Sequence, residues 1–517
     1  MRVRGFIATR DLGSNDISLI QEFFAGKSVF ITGGTGFVGK ALVEKLLRSC
    51  PKLDKIYLLV RPKKGVHPKV RLTELLKNSV FDRVRAECPQ GLGLAIEDKA
   101  TLISNVNVVF HSAATVKFNE ALPSAVDLNT RGTKRVIELC HSIYKLEALV
   151  HVSTAYSNAD KREIQEVVYS PPGNPNHVME CCENMPQEML DLIAERIQKN
   201  HPNTYTVTKA MAEWLVAEQA RTLPTAIVRP SIVTAAWREP MPGWVDNISG
   251  ITGIMMEIGR GTIRSIICDQ KLVVDIIPVD FVVNTLIAVA WHTAKNRRVT
   301  DRPNVYNCTS GTINPIKWEE LGVMTQRHAL MVPSRYIQWY PGFSFRTNRF
   351  IHWIYEAAFH FLPAVIVDVI LRLQGSKPIM LKIFKKFKMA AKTGEFFALN
   401  EFNFDNRNLG QLIKEIASSS DQPNFEVDVA KIGWDSYVKQ YMLGIRKFSH
   451  IFAFFLFFPQ NRVSRRQKIT SEGSPAILML GVLMQLYVRK GCQCCITTKL
   501  KACSLLLSMR RAALPVV

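Results

Sequence analysis

The chain has 517 residues, 47% of them hydrophobic, so it can bury a large core in about two or three domains, and a wholly disordered or fibrous protein is excluded. Eleven scattered cysteines, an odd number, argue against a secreted disulfide scaffold. The formal net charge of +22 favours an anionic membrane surface or a phosphate-rich ligand as partner, whereas no zinc-finger spacing, RNP-type motif or basic–heptad block supports nucleic acid.

The first half of the chain alternates between strand and helix patterns. Residues 1–25 contain no continuous apolar run, so we expect an N-terminal arm there and no secretory signal. The next segment reads KSVFIT, a short β-branched strand, and a glycine-rich loop and a helix follow it. Strands are predicted at 27–32, 55–60, 106–110, 148–152 and 225–228, and helices at 40–49, 133–143 and 204–220. This alternation predicts an α/β fold with a doubly wound parallel sheet.

One strand of such a sheet is missing from the pattern. Residues 61–105 separate the second strand from the next one, where a third strand usually lies. Residues 70–84 read as one helix and 95–103 as another, and no β-branched run remains between them. We therefore expect strand 55–60 to form an edge of the sheet, with unpaired backbone groups on its outer side.

The second half of the chain is mainly helical. A helix is predicted at 280–294 and a strand at 304–308, and beyond residue 345 the sequence is helical and rich in Phe, Leu, Lys and Trp. No segment offers 18 clean apolar residues. Residues 351–373 come closest but carry five ionisable side chains, which favours a buried helix or a monotopic membrane contact over a span. We expect a domain at 26–330, a helical domain at 345–447 and a distinct tail at 448–517.

The glycine-rich loop carries a phosphate-binding signature. Gly34, Gly36 and Gly39 satisfy G-x-G-x-x-G, and Gly33 with the last two satisfies the related G-x-x-G-x-x-G spacing. Glycines permit a tight turn close to a pyrophosphate, and the start of the helix offers free N–H groups to the anion. Between a strand and an amphipathic helix, the motif predicts a Rossmann-type dinucleotide site rather than a plain glycine turn. The predicted site comprises Thr32, Gly33, Gly34, Thr35, Gly36, Phe37, Val38 and Gly39.

Two further segments bear on the cofactor. The second strand ends at Arg61, where a carboxylate would favour NAD; arginine suits the 2′-phosphate of NADP(H), although it also fits an ordinary solvated side chain. The small residues Ser112, Ala113 and Ala114 follow the fourth strand and would let a cofactor lie against the backbone. Asn129 is either functional or a polar group that stabilises a helix.

Tyr205 and Lys209, in YTVTK, form the candidate catalytic pair. Their i, i+4 spacing places them on one helix face, where an ammonium beside the phenol is expected to lower the tyrosine pKa. Tyr205 could then give a proton to a carbonyl oxygen, while Lys209 also holds the nicotinamide ribose. Ser153 and Thr154, in HVSTAY, follow a predicted strand and offer hydroxyls that would polarise the carbonyl. Together with the glycine motif, this favours catalysis over a surface Tyr–Lys pair.

With these segments in view, the chain resembles the alcohol-forming fatty acyl-CoA reductases, most of all the insect members. The resemblance covers about residues 20–447 and includes FFAGKSVFITGGTGFVGKALVEKLLRS, IYLLVRPKKG, VNVVFHSAATVKFNE, LVHVSTAYSN, YTVTKAMAE, IVRPSIV and, in the second half, HFLPAVIVDVILRLQGSKP and FEVDVAKIGWDSYVKQYMLGIRKF. It implies an extended short-chain dehydrogenase. Such an enzyme uses NADPH to reduce long-chain acyl-CoA through an aldehyde to a primary alcohol, releasing CoA for wax and other lipid metabolism. It also implies a membrane location, at the endoplasmic reticulum or peroxisome.

The resemblance also assigns roles. Thr154 is the likelier of the two carbonyl-holding hydroxyls, with Ser153 second; Tyr205 is the acid and Lys209 its partner. The three glycines of the second spacing bind pyrophosphate, and Arg61 binds the 2′-phosphate. No residue is assigned to a metal.

The chain departs from the family in two places. Relatives carry roughly 30 additional residues between FDRVRAECP and GLGL, and these end in the missing strand. The tail after residue 447 also looks unrelated. Two alternatives therefore stay open: another extended short-chain dehydrogenase acting on sterols or nucleotide sugars, or a non-catalytic isoform whose cofactor site is damaged by the deletion.

Two C-terminal features have competing interpretations. Residues 381–392 (LKIFKKFKMAAK) are basic with interleaved apolar positions, which fits a solvated helix face or contact with lipid head groups or coenzyme A phosphates. A group of cysteines lacks zinc-finger spacing and fits palmitoylation or chance. These are Cys492, Cys494, Cys495 and Cys503.

Overall fold

A computed structural model of the chain describes residues 2–4, 18–62, 65–87, 94–95, 99–198, 200–296, 302–334 and 340–457. The cysteine group at 492–503 and all of the expected tail beyond Phe457 lie outside these residues.

Fourteen strands are present in the described residues. They are β1 (Arg2–Arg4), β2 (Ser28–Thr32), β3 (Lys55–Leu59), β4 (Leu94–Ala95), β5 (Val106–His111), β6 (Ala148–Val152), β7 (Glu163–Ile164), β8 (Thr225–Pro230), β9 (Ile232–Thr234), β10 (Ser265–Ile267), β11 (Ile276–Pro278), β12 (Asn304–Cys308), β13 (Ser344–Arg346) and β14 (Asn403–Phe404).

Eight of these strands form the central sheet, in the order β12-β8-β6-β5-β2-β3-β1-β4. The six strands from β12 to β3 are parallel to one another, as the alternation of strands and helices predicts. The strand order reverses between β2 and β5, and in doubly wound sheets ligands bind at the carboxyl ends of the strands beside such a reversal. Three small parallel pairs, β9–β11, β10–β13 and β7–β14, lie outside this sheet and were not predicted.

The expectation of an open edge at strand 55–60 is wrong. β1 pairs antiparallel with β3, with Arg2 opposite Tyr57 and Arg4 opposite Lys55, and β4 pairs with the outer side of β1. An unpaired strand edge accepts another extended segment of either direction, and the chain's own N-terminus supplies it. No parallel strand lies beyond β3 in the described part of the chain, so the third strand is replaced rather than restored.

Eighteen α-helices are present in the described residues, in addition to short 3₁₀ and π segments. They are α1 (Leu19–Phe24), α2 (Phe37–Ser49), α3 (Pro68–Leu76), α4 (Asp82–Glu87), α5 (Lys99–Asn105), α6 (Leu122–Ala125), α7 (Gly132–Ser142), α8 (Pro175–Asn184), α9 (Gln187–Gln198), α10 (Thr204–Gln219), α11 (Ile251–Arg260), α12 (Val279–Lys295), α13 (Trp318–Met331), α14 (Arg349–Glu356), α15 (Leu362–Leu373), α16 (Met380–Leu399), α17 (Arg407–Ala417) and α18 (Trp434–Phe457).

The two faces of the sheet are covered by different helices. One core combines apolar side chains of β2, β3 and β6 with those of α1, α2 and α12. On the opposite face, α10 packs with the sheet around Val207, Met211 and Ile227, and α7 packs around Phe30, Val136 and Leu149. Because both faces are buried, the parallel strands are apolar along their whole length rather than alternating.

The predicted helix at 70–84 is divided into two. α3 ends at Leu76, the side chain of Asn78 accepts a hydrogen bond from the Val80 N–H, and a 3₁₀ turn over Ser79–Phe81 leads into α4. The asparagine side chain thus competes with the helical backbone and restarts the helix. The helix expected at 95–103 likewise begins later, at Lys99, because Leu94–Ala95 is a strand.

Residues 18–25, assigned from sequence to an N-terminal arm, belong to the core. Ile20 and Phe24 of α1 are fully buried. The carboxylate of Asp421 accepts hydrogen bonds from the Leu19 and Ile20 N–H groups at 3.2 and 3.0 Å and from the Ser18 hydroxyl. A carboxylate at a helix N-terminus satisfies free N–H groups, so Asp421 fixes α1 to the C-terminal part of the chain.

The C-terminal region is mainly helical, and it contacts the sheet domain through strand pairing, helix packing and a hydrogen bond. β14 pairs with β7, α18 packs against α11 and α13, and the Tyr437 hydroxyl donates to the Ala235 carbonyl at 2.7 Å. The C-terminal region therefore reaches the same end of the sheet as the loops described next.

Candidate active site

The candidate site lies at the carboxyl ends of the central strands. Thr32, His111 and His151 occupy the same register position on β2, β5 and β6. The glycine loop, the segment 112–121 and the segment 153–158 follow these three strands directly. Their convergence at one edge follows from the parallel topology.

The glycine loop is shaped by close backbone contacts. Gly33 has φ +77°, and a Cβ atom there would lie 2.7 Å from the backbone N of Ala113. A Cβ atom on Gly39 would lie 2.2 Å from the Gly33 carbonyl oxygen. Both positions exclude a side chain for steric reasons, and Gly33 also has a backbone conformation that favours glycine. At both positions the neighbouring backbone occupies the space that a side chain would need.

Hydrogen bonds fix the loop after β5 against the glycine loop. The Thr32 hydroxyl accepts from the Ala113 N–H at 3.2 Å and bonds to His111 Nδ1 at 2.7 Å. The Ser112 N–H donates to the Thr32 carbonyl at 3.2 Å. Ala114 continues the same partly exposed segment. The small residues thus lie beside the glycines, as a cofactor-binding wall requires.

Three residues of the glycine motif, Gly36, Phe37 and Val38, make structural contacts within the protein. Gly36 precedes α2 and its N–H bonds to the Gly33 carbonyl at 2.9 Å, so the turn is closed by the backbone. The ring of Phe37 stacks on Trp244 with 5.2 Å between centroids, and Val38 packs on the main core. These two side chains orient the helix, and its N-terminal N–H groups remain available to an anion. The cradle therefore fits the pyrophosphate of a dinucleotide.

A second arginine accompanies Arg61. Arg61 follows β3 and is exposed, and its carbonyl accepts a hydrogen bond from the guanidinium of Arg71 in α3. The Arg71 guanidinium also donates to the Thr35 hydroxyl of the glycine loop at 3.3 Å. Sequence reasoning missed Arg71, because nothing in its spacing shows that α3 folds back over the loop. The Arg71 guanidinium thus joins the glycine loop to the backbone of Arg61.

Tyr205 lies on α10 with its phenol directed at Thr154. The Thr154 hydroxyl also accepts from the Tyr156 N–H at 3.3 Å as the cap of a 3₁₀ turn. Burial raises the pKa of Tyr205 to about 12, and the nearby Thr154 hydroxyl opposes this only in part. Tyr205 is therefore a protonated donor at neutral pH.

Lys209 does not act on Tyr205 as the sequence suggested. Its ammonium is buried and donates to the Val152 carbonyl at 2.7 Å, and it is not among the groups that shift the Tyr205 pKa. Burial lowers the pKa of Lys209 to about 8, although the charge of Glu213 opposes the shift. The expectation of a lowered tyrosine pKa is thus wrong for the protein alone, since the ammonium is bound by the end of β6.

Ser153 supplies a hydroxyl without a fixed role. It follows β6 and is buried, and its Oγ has no hydrogen-bond partner among the described residues. Thr154, by contrast, already accepts a hydrogen bond from the Tyr156 N–H. Buried hydroxyl groups are rarely left unsatisfied, so the Ser153 Oγ fits a group that a ligand would supply.

Asn129 has a structural position beside the catalytic helix. Its amide oxygen accepts from the Thr115 N–H at 2.8 Å, and its NH₂ group donates to the Thr115 carbonyl at 3.2 Å and the Thr208 hydroxyl at 3.0 Å. It therefore holds the segment after β5 against α10.

An aromatic cluster, which sequence reasoning also missed, borders the site. Phe118 stacks on Tyr205 with 5.7 Å between centroids, and Phe397, at the end of α16, lies 5.7 Å from Phe118 and 4.9 Å from Tyr156. The C-terminal region thus contributes an apolar ring to the surroundings of Tyr205.

Comparisons with known proteins agree with this architecture. Two family profiles, both described as male sterility protein, match residues 31–286, as an NAD-binding domain, and residues 359–450. The chain is 38% identical to fatty acyl-CoA reductase 1 of Rattus norvegicus, over 83% of this chain and 86% of that protein. It is also 38% identical to fatty acyl-CoA reductase 2 of Homo sapiens, over 84% and 86%.

Solved structures support the fold. The terminal R domain of the myxalamid PKS-NRPS pathway is similar with a TM-score of 0.52 and 18% identity, over 83% of this chain and 91% of that chain. A thiolation-reductase di-domain of an archaeal non-ribosomal peptide synthetase gives a TM-score of 0.51 and 16% identity, over 84% and 80%. The reductase-type α/β fold predicted from sequence is thereby confirmed.

The glycine loop can be tested with a matched pair of substitutions. Gly33→Ala and Gly26→Ala both place alanine at a positive φ, +77° and +70°, but a Cβ atom at Gly26 meets nothing within 4 Å. We expect Gly26→Ala to cost about 1 kcal/mol of unfolding free energy and to leave dinucleotide binding intact. Gly33→Ala should destabilise more and abolish binding, because its Cβ displaces the 112–114 segment. Thermal denaturation and cofactor fluorescence titration measure both effects, and equal behaviour of the two variants would contradict this account of the loop.

Proposed function

The chain belongs to the fatty acyl-CoA reductase family and reduces fatty acyl-CoA to fatty alcohol with a nicotinamide cofactor; we propose that it uses NADPH, acts on long-chain acyl groups and proceeds through an aldehyde. The observation that carries the proposal is the closeness of the Thr154 hydroxyl to the Tyr205 phenol, which is sufficient to influence the tyrosine pKa. A carbonyl oxygen bound between these groups would be held by a proton donor and a neighbouring hydroxyl.

Each residue then has a distinct task. Thr154, with Ser153 as the second candidate, holds the carbonyl oxygen as negative charge develops on it. Tyr205, protonated at neutral pH, donates a hydrogen bond to that oxygen and gives up its proton when the aldehyde oxygen becomes a hydroxyl. Lys209 keeps its bond to the Val152 carbonyl, and the remaining N–H groups of its ammonium would hold the cofactor ribose and stabilise the tyrosinate. When bound, NADPH supplies a hydride for each of the two reductions, and CoA leaves as the thiol in the first.

Arg61 and Arg71 support the choice of NADPH. A 2′-phosphate carries negative charge that a carboxylate at this position would repel and that guanidinium groups bind in a bidentate manner. We assign Arg61 to the phosphate itself. Arg71 bridges Arg61 and Thr35 and so holds the phosphate site against the pyrophosphate site.

The proposed site also bears on the alternatives. Membership of the fatty acyl-CoA reductases argues against a sterol or nucleotide-sugar dehydrogenase. The isoform alternative rests on the segment missing near residue 90, yet the glycine loop, both arginines and the Tyr205–Thr154 pair are all assembled. We therefore favour an active enzyme.

A surface of the C-terminal region suits a membrane. By length and composition the continuous helix over Arg349–Leu373 could cross a membrane, and only 11% of its most apolar window is buried. Its exposed apolar side chains include Phe350, Trp353 and Leu373, which are 68%, 59% and 83% exposed. The interpretation of this segment as a buried helix is thus wrong, and the membrane interpretation remains.

The neighbouring helix α16 favours a helix lying on the membrane over a spanning one. Asp368 accepts hydrogen bonds from the N–H groups of Ile379, Met380 and Leu381, and Lys388 pairs with Glu356 at 2.7 Å. α15 and α16 are therefore joined as a hairpin. A spanning α15 would draw the five exposed lysines of 382–392 into the bilayer, which is costly. On an anionic surface, of the endoplasmic reticulum or peroxisome, the same lysines contact head groups.

Tyr205→Phe tests the reaction. Because it removes only the proton donor, we expect alcohol formation to fall roughly 10²–10⁴-fold with cofactor affinity nearly unchanged. Tyr306→Phe is the matched control, since it removes a phenol that bonds to His292 at 2.9 Å, away from the site. Assays with purified protein, NADPH and palmitoyl-CoA measure both variants. Full activity of Tyr205→Phe would exclude the assignment.

Arg61→Gln tests the cofactor preference. Loss of a charged hydrogen bond to phosphate should weaken NADPH binding by roughly 10-fold or more and leave NADH binding unchanged. Arg71→Gln should weaken both cofactors, because it also releases Thr35. Arg83→Gln in α4, whose guanidinium lies 3.9 Å from Glu239, serves as the charge-matched control. If the ratio of the two affinities is the same for Arg61→Gln and the control, Arg61 does not bind the 2′-phosphate.

Vesicle sedimentation tests the membrane surface. A chain ending at Phe457 should bind anionic vesicles and bind neutral ones weakly, and added salt should reduce the difference. Replacing Lys385 and Lys386 by Glu should reverse the preference for anionic lipid, whereas the same change at Lys69 and Lys77 of the sheet domain should not. Equal binding by the two charge variants would place the membrane contact elsewhere.

A further inference from the structure

Two hydroxyl groups and two aromatic rings meet at the proposed reaction centre. Tyr205 is covered on its ring face by Phe118, with planes inclined by 24°. Thr154 is followed two residues later by Tyr156, whose ring meets the edge of Phe397 at 4.9 Å and 69°. Phe397 also contacts Phe118. The ring that stacks on Tyr205 and the ring two residues after Thr154 therefore both contact Phe397.

A long acyl chain must leave the reacting carbonyl along an apolar surface. Ser153, Lys209 and Asn129 contribute polar or charged groups to this region. Phe118, which stacks on Tyr205, and its neighbours Phe397 and Tyr156 contribute aromatic rings. Burial of methylene groups is favourable only against apolar atoms, so the rings set the direction in which the chain extends.

We propose that Phe397 and Phe118 form the wall against which the first methylene groups of the acyl chain lie, so that the C-terminal region determines which chains are accepted. The proposal rests on the proposed reduction of acyl-CoA at Tyr205. It assigns Phe397 as a specificity-determining residue contributed by a helix outside the sheet domain.

The position of Phe397 is fixed by its surroundings. The Asp269 N–H donates to the carbonyl of the next residue, Ala398, at 3.0 Å. β14 then pairs with β7, and Phe402 and Phe404 pack on Tyr156 at 5.5 and 5.7 Å. A ring held on both sides cannot yield freely to a longer or wider chain, which is the condition for chain-length discrimination.

A second contact lies on the other side of the rings. The Asn119 amide donates to Met389 Sδ at 3.7 Å, so the segment after β5 faces α16 at two points along the helix. The rings of Tyr156, Phe397 and Phe402 also line, with Trp318, a cavity of only about 10 Å³, so these rings are closely packed.

The test compares substitutions of adjacent rings. Phe396→Ala removes a ring that pairs with Phe397 and Phe402 but, among the described residues, forms no ring pair with Phe118 or Tyr156, so it matches Phe397→Ala in chemistry and in helix position. The kcat/KM values for a homologous series of saturated acyl-CoAs, and for the corresponding aldehydes, are measured with wild type and both variants. Phe397→Leu keeps an apolar side chain and is measured as well, so that the test can still be made if Phe397→Ala does not fold.

The two substitutions should differ in chain-length profile. For Phe397→Ala and Phe397→Leu we expect the preference ratio between long and medium chains to change by roughly 10-fold or more, in the same direction with acyl-CoAs and aldehydes. Phe396→Ala should lose stability and keep the wild-type profile. An unchanged profile in an active Phe397 variant overturns the proposal and leaves the reductase activity standing.

If the wild-type protein shows no reductase activity, the proposed function is refuted and the kinetic comparison cannot be made. A binding measurement then tests the role of Phe397 separately. Phe397→Trp adds an indole at the proposed wall, and titration with a long-chain alkyl-CoA thioether should change its emission relative to wild type, whereas CoA alone should not. An identical response to both probes overturns the proposal.

Discussion

The arrangement of the site depends on one buried ammonium. Lys209 gives its hydrogen bond to the carbonyl of Val152, the last residue of β6. An isolated buried charge is unfavourable by several kcal/mol, and a carbonyl at the end of a strand is one of few uncharged acceptors that can offset this. The bond fixes α10 against the end of β6. Tyr205 lies about one helical turn earlier and Thr154 two residues beyond Val152, so this bond helps to bring the two side chains together.

The surroundings of Lys209 are arranged so that its charge remains balanced. Glu213, one turn further along α10, is buried and paired with Arg229 at 2.6 Å. His111 and His151 are both buried, which together with the charge of Lys209 lowers the pKa of His111 to about 3 and that of His151 well below its ordinary value. Both imidazoles are thus neutral at physiological pH. Neither of them adds a second positive charge beside the Lys209 ammonium.

The sequence was sufficient where the physical cause is local. Gly33 lies in a tight turn between a strand and a helix, and the i, i+4 spacing of Tyr205 and Lys209 follows from helix geometry alone. It was insufficient where the cause is distant. The spacing could not show that the Lys209 ammonium is taken by Val152, nor that β1 covers the edge of β3, because an open edge selects its partner only in the folded chain. Arg71 and Phe397 were missed for the same reason: their importance comes from folding back over residues that lie 36 and 279 positions away, Thr35 and Phe118.

The helix α16 connects the two properties that the C-terminal region contributes. Its first residues are capped by Asp368 of the apolar hairpin, and its last turn carries Phe397. The helix has 20 residues, which corresponds to a length of about 30 Å. A fatty acyl chain partitions into the bilayer, and the exposed side chains of Phe350 and Trp353 lie at the end of the protein that would meet it. The element that we propose as a membrane contact therefore also carries the ring that we propose as part of the acyl-chain wall. These two proposed roles give the helical region a task in the reaction, although it contributes neither the glycine loop nor the Tyr–Lys pair.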